Sequence, residues 1–196
     1  MTWKSGISQA IPGVATKRRA IMPIDESRSF KPINISLLTV SDTRSRKEDT
    51  SGDILAERIE RKGHQLVYRN LLRDDKSALV AQLHQWIDDE QVDVIITTGG
   101  TGLTGRDITP ESLNAVKDKD IPGFGELFRY LSLAKIGTST VQSRACAVVA
   151  RGTYIFALPG SNGAVKDGWD GILDTQLDSR HRPCNFVELI PRLLEK

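Results

Sequence analysis

Sulfur and imidazole are scarce in this sequence. Its two cysteines, Cys146 and Cys184, stand 38 residues apart without CxxC spacing, and its three histidines, His64, His84 and His181, are equally scattered. No zinc or disulfide framework can be drawn from that inventory, and the cysteines are expected to be free thiols. Long apolar runs are missing too. None approaches the roughly 18 residues that a membrane-spanning helix needs, and no membrane partner is expected. The basic N-terminus has no apolar segment of the secretory kind, so the expected location is the cytoplasm. A large charge of either sign is also absent. The net charge is +2, and it divides unevenly. Residues 1–32 hold six basic side chains (Lys4, Lys17, Arg18, Arg19, Arg28, Lys31) against Asp25 and Glu26, whereas the remaining 164 residues hold 21 basic and 23 acidic ones. A slightly acidic body offers no electrostatic footprint for nucleic acid.

What is present is an ordinary soluble composition, 39% hydrophobic and 27% charged, over enough chain for one α/β domain with a real core. Residues 1–32 mix Gly, Pro, Ser and charge without periodicity and read as a loosely ordered basic arm; residues 33–196 read as the domain. Ile33–Val40 is β-branched and apolar throughout, as expected of a strand buried on both faces. It ends in the polar turn Ser41-Asp42-Thr43-Arg44, and the charged loop from Arg44 to Thr50 is expected to face solvent. Ser51 is the expected N-cap of a helix running to Lys62, with Gly63 as terminator. Gln65–Leu72 reads as a second strand, and Asp74 or Asp75 as the cap of a helix whose Leu79, Leu83, Trp86 and Ile87 form an apolar stripe. Val92–Thr98 is the third strand. Thr109 is the expected cap of the next helix, with Pro110 at its first position. Ile121-Pro122-Gly123 breaks that helix, and Phe124 to Lys135 forms another. Thr153–Leu158 is the fourth strand, and one long helix is expected from Ala164 to Leu177. Strand and helix alternating four times predict a mostly parallel sheet covered on both faces, with right-handed crossovers.

Ligands in such folds bind beyond the carboxyl ends of the strands. Four loops lie there: Ser41-Asp42, Asp74-Asp75, Gly99–Asp107 and Pro159-Gly160-Ser161. The third is the centre of the chain, with four glycines among seven residues followed by Arg106-Asp107 and Thr109-Pro110-Glu111. Glycines let backbone N–H groups approach an anion, and a helix start adds partial positive charge. Two named motifs fail on context. Gly100 to Gly105 fits G-x-G-x-x-G, but it follows the third strand, and the acidic residue due about 20 positions later is replaced by Ile121-Pro122-Gly123. Arg106-Asp107 where a P-loop has Lys-Ser/Thr spoils that match as well. A purely structural turn would not need four glycines and an ion-pairing couple. Asp107 taken alone would cap its turn and Asp74 alone would start a helix. Placed on adjacent strand ends beside a phosphate loop, they become candidate oxygen ligands for Mg²⁺.

The ordered set Thr97-Thr98-Gly99-Gly100-Thr101-Gly102, Arg106-Asp107-Ile108-Thr109-Pro110-Glu111, Pro122-Gly123-Phe124-Gly125-Glu126, Ser143-Arg144 and Leu158-Pro159-Gly160 resembles the MoaB/MogA family of molybdenum cofactor biosynthesis proteins. The segments Gly137–Ala145, Gln176–Arg180 and Arg182–Phe186 are similar to the MoaB branch in particular. The resemblance spans residues 33–185. It implies a three-layer α/β/α sandwich, a homotrimer or homohexamer, and a pocket for molybdopterin. In active members Mg-ATP adenylylates the terminal phosphate of molybdopterin and pyrophosphate leaves. Position by position, it implies Asp74 and Asp107 as the catalytic, Mg²⁺-holding acids. It implies Ser41, Asp42, Gly99, Gly100, Thr101, Gly102, Arg106, Ser143, Arg144, Pro159, Gly160 and Ser161 as the substrate-binding set for ATP and molybdopterin. A non-catalytic molybdopterin-binding accessory protein of the same pathway is the alternative, and other proteins of that pathway are possible partners.

Overall fold

The computed structural model describes residues 24–195. These residues run through six strands, β1 (Asn34–Val40), β2 (Gln65–Leu72), β3 (Val94–Thr98), β4 (Lys119–Asp120), β5 (Cys146–Ala150) and β6 (Thr153–Leu158). They form one sheet in the order β2-β1-β3-β6-β5-β4. The first four members of that order are parallel; β5 and β4 are antiparallel additions at one edge. The sheet is therefore mixed, as a three-layer α/β/α sandwich with a mostly parallel sheet. The expected four strands are all there, and two more accompany them.

Strands β1, β3 and β6 are buried along essentially their whole length, which is what their near-continuous apolar runs require. Two hydrophobic layers result. On one face Leu55 and Ile59 of α1 (Thr50–Lys62) pack with Phe124 and Phe128 of α4 (Pro122–Ile136) and with Val165, Trp169 and Leu173. The other face is covered by Leu79, Leu83, Trp86 and Ile87 of α2 (Lys76–Ile87) and Leu113 of α3 (Thr109–Val116). The stripe read from the sequence of α2 is that helix's buried face.

Several helix ends differ from expectation. The cap of α1 is Asp49, which accepts the Gly52 N–H at 2.9 Å, while Ser51 lies buried inside the first turn. Of the two caps expected for α2, Asp75 is the one used, accepting the Ala78 N–H at 2.9 Å. Thr109 caps nothing: its hydroxyl donates to the Gly99 carbonyl at 2.9 Å and fastens α3 to the glycine loop. The single helix expected from Ala164 is α5 (Asn162–Gly168) followed by a π-helical turn, Trp169–Leu173, and a short α segment, Asp174–Gln176.

The expected arm divides at the edge of the described residues. Residues 1–23 lie outside them. Residues 24–32 run along the C-terminal segment: Ile24 bridges to His181, and Arg28 donates to the Ser179 carbonyl at 2.7 Å and pairs with Glu188. Cys146 and Cys184 are free. Among the described residues no helix is long and apolar enough to cross a membrane.

Candidate functional site

From β1 the chain crosses to β2 on one side and then to β3 on the other, so the topological switch point lies between β1 and β3. That is where open α/β sheets bind ligands. Close contact there demands glycine. Gly99 has φ +101°, and a Cβ on it would stand 2.1 Å from the Val40 carbonyl oxygen. A Cβ on Gly160 would stand 3.2 Å from the Gly99 Cα. The ends of β1, β3 and β6 thus touch through backbone.

Above them opens a cavity of about 620 Å³. Of the residues expected to bind or react, Ser41, Asp42, Asp74, Gly99, Gly100, Thr101, Gly102, Arg106, Asp107, Ser143, Pro159, Gly160 and Ser161 all line it. Arg144 does not. It lies behind the glycine loop, where its Nε donates to the Gly102 carbonyl at 2.6 Å and a terminal amine donates to the Asp107 carbonyl at 3.0 Å. Its other amine pairs with Glu111, and its own N–H donates to the Thr101 carbonyl at 3.2 Å. The side chain expected to touch substrate instead clamps both ends of the loop.

The three carboxylates that the strand-end loops bring to the cavity differ in state. Asp42 is engaged by Arg106, whose Nε donates to its Oδ2 at 2.8 Å, and its other oxygen accepts the Asp74 N–H at 3.2 Å. The Arg106 hydrogen bond holds the Asp42 carboxyl below its usual value. Burial works against ionisation of Asp107, but hydrogen bonds from the Thr104 hydroxyl (2.7 Å) and N–H (2.9 Å) outweigh it and hold that carboxyl low. Asp107 is thereby the brace of its own turn: a Cβ on Gly102 would stand 2.8 Å from its Oδ2. Asp74 is the odd member. Its side chain takes no hydrogen bond among the described residues, and burial, then the charges of Asp42 and Asp107, push its carboxyl upward. It stands at the glycine loop, 3.1 Å from where a Gly100 Cβ would be.

The opposite wall was not legible in the sequence. Phe128, Ser132, Lys135 and Ile136 of α4 and Asp167 of α5 line the cavity from there, and Lys135 pairs with Asp167. The segment from Phe124 to Lys135 announces a helix, which begins at Pro122 and ends at Ile136, but not which of its residues reach over the strand ends. Arg44 also lines the cavity, against the expectation that its loop faces only solvent.

Residues 36–179 match the family described as a probable molybdopterin binding domain. Molybdenum cofactor biosynthesis protein B of Escherichia coli (strain K12) is 47% identical over 160 residues, 82% of this chain and 94% of that protein. The chain belongs to the MoaB/MogA family of molybdenum cofactor biosynthesis proteins. Solved structures of the family superpose accordingly. A crystal structure of molybdenum cofactor biosynthesis protein B gives a TM-score of 0.74 at 37% identity, covering 76% of this chain and 94% of that one. The tungsten cofactor synthesizing protein MoaB from Pyrococcus furiosus gives 0.67 at 40% identity, covering 73% and 91%. The matched region contains every strand-end loop of the cavity. The protein is thus a molybdenum cofactor biosynthesis protein built on a molybdopterin-binding domain, and the MoaB/MogA fold expected from its motifs is the fold it has.

Proposed function

We propose that this MoaB/MogA protein binds molybdopterin in the strand-end cavity and adenylylates its terminal phosphate with Mg-ATP. The observation that carries the reading is Asp74, an unbonded carboxylate pushed upward by burial and by two neighbouring carboxylates beside a loop of backbone N–H donors. Excess negative charge at such a point favours a cation. Among the described residues no group of three or more His, Cys, Asp or Glu side chains could hold a metal by itself. That suits Mg²⁺ arriving with a nucleotide, since Mg²⁺ takes one or two protein carboxylates and completes its shell from phosphates and water. Asp74 and Asp107 are the residues that would hold it, and it would neutralise charge on the α- and β-phosphates.

The chemistry asks little covalent work of the protein. A phosphate oxygen of molybdopterin attacks the α-phosphorus of ATP. A P–O bond forms there, and the bond from the α-phosphorus to the β-bridging oxygen breaks with its electron pair leaving on pyrophosphate. The attacking phosphate is already ionised, so no strong base is required. Gly100 to Gly102 position the pterin phosphate by backbone donors, the Gly99 N–H being taken by the Leu158 carbonyl at 3.0 Å; Arg106 is held by Asp42 at the rim, and α4 walls the reacting groups from the other side. A second reading, a molybdopterin-binding accessory protein without catalysis, is favoured by the engagement of Asp107 with Thr104, which leaves it structural work of its own.

Exposed apolar side chains on the outer face of α4 and the turn after it support self-association as a homotrimer or homohexamer. Tyr130 is 69% exposed, Leu133 48% and Val141 79%, whereas Phe124 and Phe128 on the inner face are core. The functional test follows AMP transfer from ATP to molybdopterin in the presence of Mg²⁺, for the wild type and Asp74→Asn. Adenylylated product from the wild type and none from Asp74→Asn is expected. Absence of product from the wild type at saturating substrates, with molybdopterin still bound, removes the enzyme and leaves the accessory protein.

A further inference from the structure

Three cationic side chains line the cavity: Arg44, Arg106 and Lys135. Two are neutralised on the spot. Arg106 places both Nε and a terminal amine on Asp42 Oδ2, and Lys135 pairs with Asp167. Arg44 pairs with no carboxylate among the described residues. Only one of its guanidinium nitrogens is engaged, a terminal amine that donates to Ser51 Oγ at 2.9 Å and to the Gly160 carbonyl at 3.0 Å. Both acceptors are neutral, and Nε and the second terminal amine make no hydrogen bond among those residues.

We propose that Arg44 is the phosphate anchor of the cavity, its free Nε and amine forming the two-pronged donor that takes a phosphoryl group of the bound ligand. This rests on the cavity being the ligand site proposed above. A guanidinium edge matches two phosphate oxygens in one plane, and fixing the arginine beforehand lowers the entropy lost on binding. The bracing is extensive. The Arg44 N–H donates to Ser41 Oγ at 3.2 Å. Ser51 is buried, and its hydroxyl donates onward at 3.4 Å to Asp49, a fully buried carboxylate that Arg69 holds at 2.9 Å. The other anchor, Gly160, is the residue packed against Gly99. The unspent edge of Arg44 is thus tied to both walls that flank the start of the glycine loop. A carboxylate in that place would cancel the charge; a neutral brace leaves the charge for a ligand.

The phosphoryl group has two sources, the terminal phosphate of molybdopterin and the triphosphate of ATP. Titration calorimetry with inorganic pyrophosphate, ATP and molybdopterin as separate probes distinguishes them, using the wild type, Arg44→Gln and Arg44→Lys. Losing a charge-assisted bidentate contact is expected to weaken the anchored probe at least about tenfold in Arg44→Gln, with a smaller loss in Arg44→Lys, which keeps the charge but not the planar edge. Loss on ATP and pyrophosphate alone assigns the anchor to the nucleotide, and loss on molybdopterin alone assigns it to the pterin. Pyrophosphate binding that depends on Arg44, with neither ATP nor molybdopterin bound, supports the anchor and sinks the adenylyltransferase reading instead. Binding in which both variants match the wild type within twofold for every probe that the wild type binds overturns the anchor, as does a wild type that binds none of the three. Should Arg44→Gln not fold, Arg44→Lys decides alone on the same criterion.

Discussion

Replacing Arg144 by Ala separates two roles that its place in the Ser-Arg motif does not. A guanidinium that touches ligand can be removed with little effect on the empty protein. A guanidinium that clamps the glycine loop cannot. The structure puts its Nε 2.6 Å from the Gly102 carbonyl and a terminal amine 3.0 Å from the Asp107 carbonyl, at the two ends of the turn that Asp107 braces. Hydrogen bonds involving a charged partner contribute about 1.5–3 kcal/mol each, and two from one guanidinium are not additive. The pair with Glu111 adds at most about 1 kcal/mol, because the side chains are 28% and 45% exposed. A loss of roughly 3 kcal/mol is therefore expected for Arg144→Ala, with a smaller loss for Arg144→Lys, whose single ammonium cannot serve both carbonyls. In a chain of this size about 2–4 °C of melting temperature accompanies each kcal/mol, so the ligand-free variant should melt roughly 6–12 °C lower.

The assay is thermal unfolding of the ligand-free protein, with amide exchange followed across residues 101–107. Faster exchange confined to that loop is the expected local signature. An Arg144→Ala protein that melts within about 1 °C of wild type, exchanges normally and yet no longer binds molybdopterin would refute the clamp and restore the role in ligand binding.

Asp74→Asn, the variant that should lose AMP transfer, should also make the ligand-free protein melt higher at pH 7. Burial first and the Asp42 charge second raise the Asp74 carboxyl, so ionising it costs stability as pH rises through its range; the gain should vanish below the ordinary value of 3.8, and a gain that persists there would be wrong. His64 is 3% exposed, its Nδ1 accepts the Ile33 N–H at 3.3 Å, and burial pushes it down to about 4 from 6.5. A lowered histidine contributes stability that is complete above 6.5 and lost as pH falls toward 4, here as much as roughly 3 kcal/mol; denaturant melts of His64→Gln should lack that slope, and a slope equal to wild type would count against it. Light scattering should give three or six copies per particle, and a monomer at micromolar concentration would dismiss the α4 face as a subunit contact.

The parallel half of the fold and the convergence of its loops were legible because each rests on a local signal with one physical cause. Ile33–Val40 and Val92–Thr98 can be apolar throughout only if both faces are covered, and once the strands run parallel their C-terminal loops must meet. The faults came where two groups competed for one task. Asp49 and Ser51 are both capable caps of α1, and the choice between them is made by long-range partners: Arg69 and Thr39 hold Asp49, which accepts the Thr39 hydroxyl at 2.8 Å. Thr109 lost its cap because the Gly99 carbonyl needed a donor. The edge hairpin escaped notice because Cys146–Ala150 is short and alanine-rich, and its turn to β6 is Arg151-Gly152. Both turn residues have positive φ, +45° and +91°, as the tight hairpin turn requires, but Arg-Gly lacks the Asn-Gly or Asp-Gly signature.

That hairpin is nevertheless what completes the site. In a wholly parallel sheet every strand begins at the bottom, and only residues that follow strands reach the ligand edge. Strand β5 runs the other way, with Cys146 paired to Ala157 near the top of β6 and Ala150 paired to Thr153 at its foot. The residues before β5 are therefore delivered to the ligand edge, where Ser143 lines the cavity and Arg144 grips the glycine loop from behind. Arg144 then reaches Glu111, in the first turn of α3, so the reversed strand, the loop and the helix that follows the loop are locked together by one side chain. The glycines provide room for backbone donors to approach an anion, but glycine-rich backbone is also the most costly to hold still. The antiparallel edge supplies the restraint that the proposed phosphate-binding role asks of a loop with four glycines.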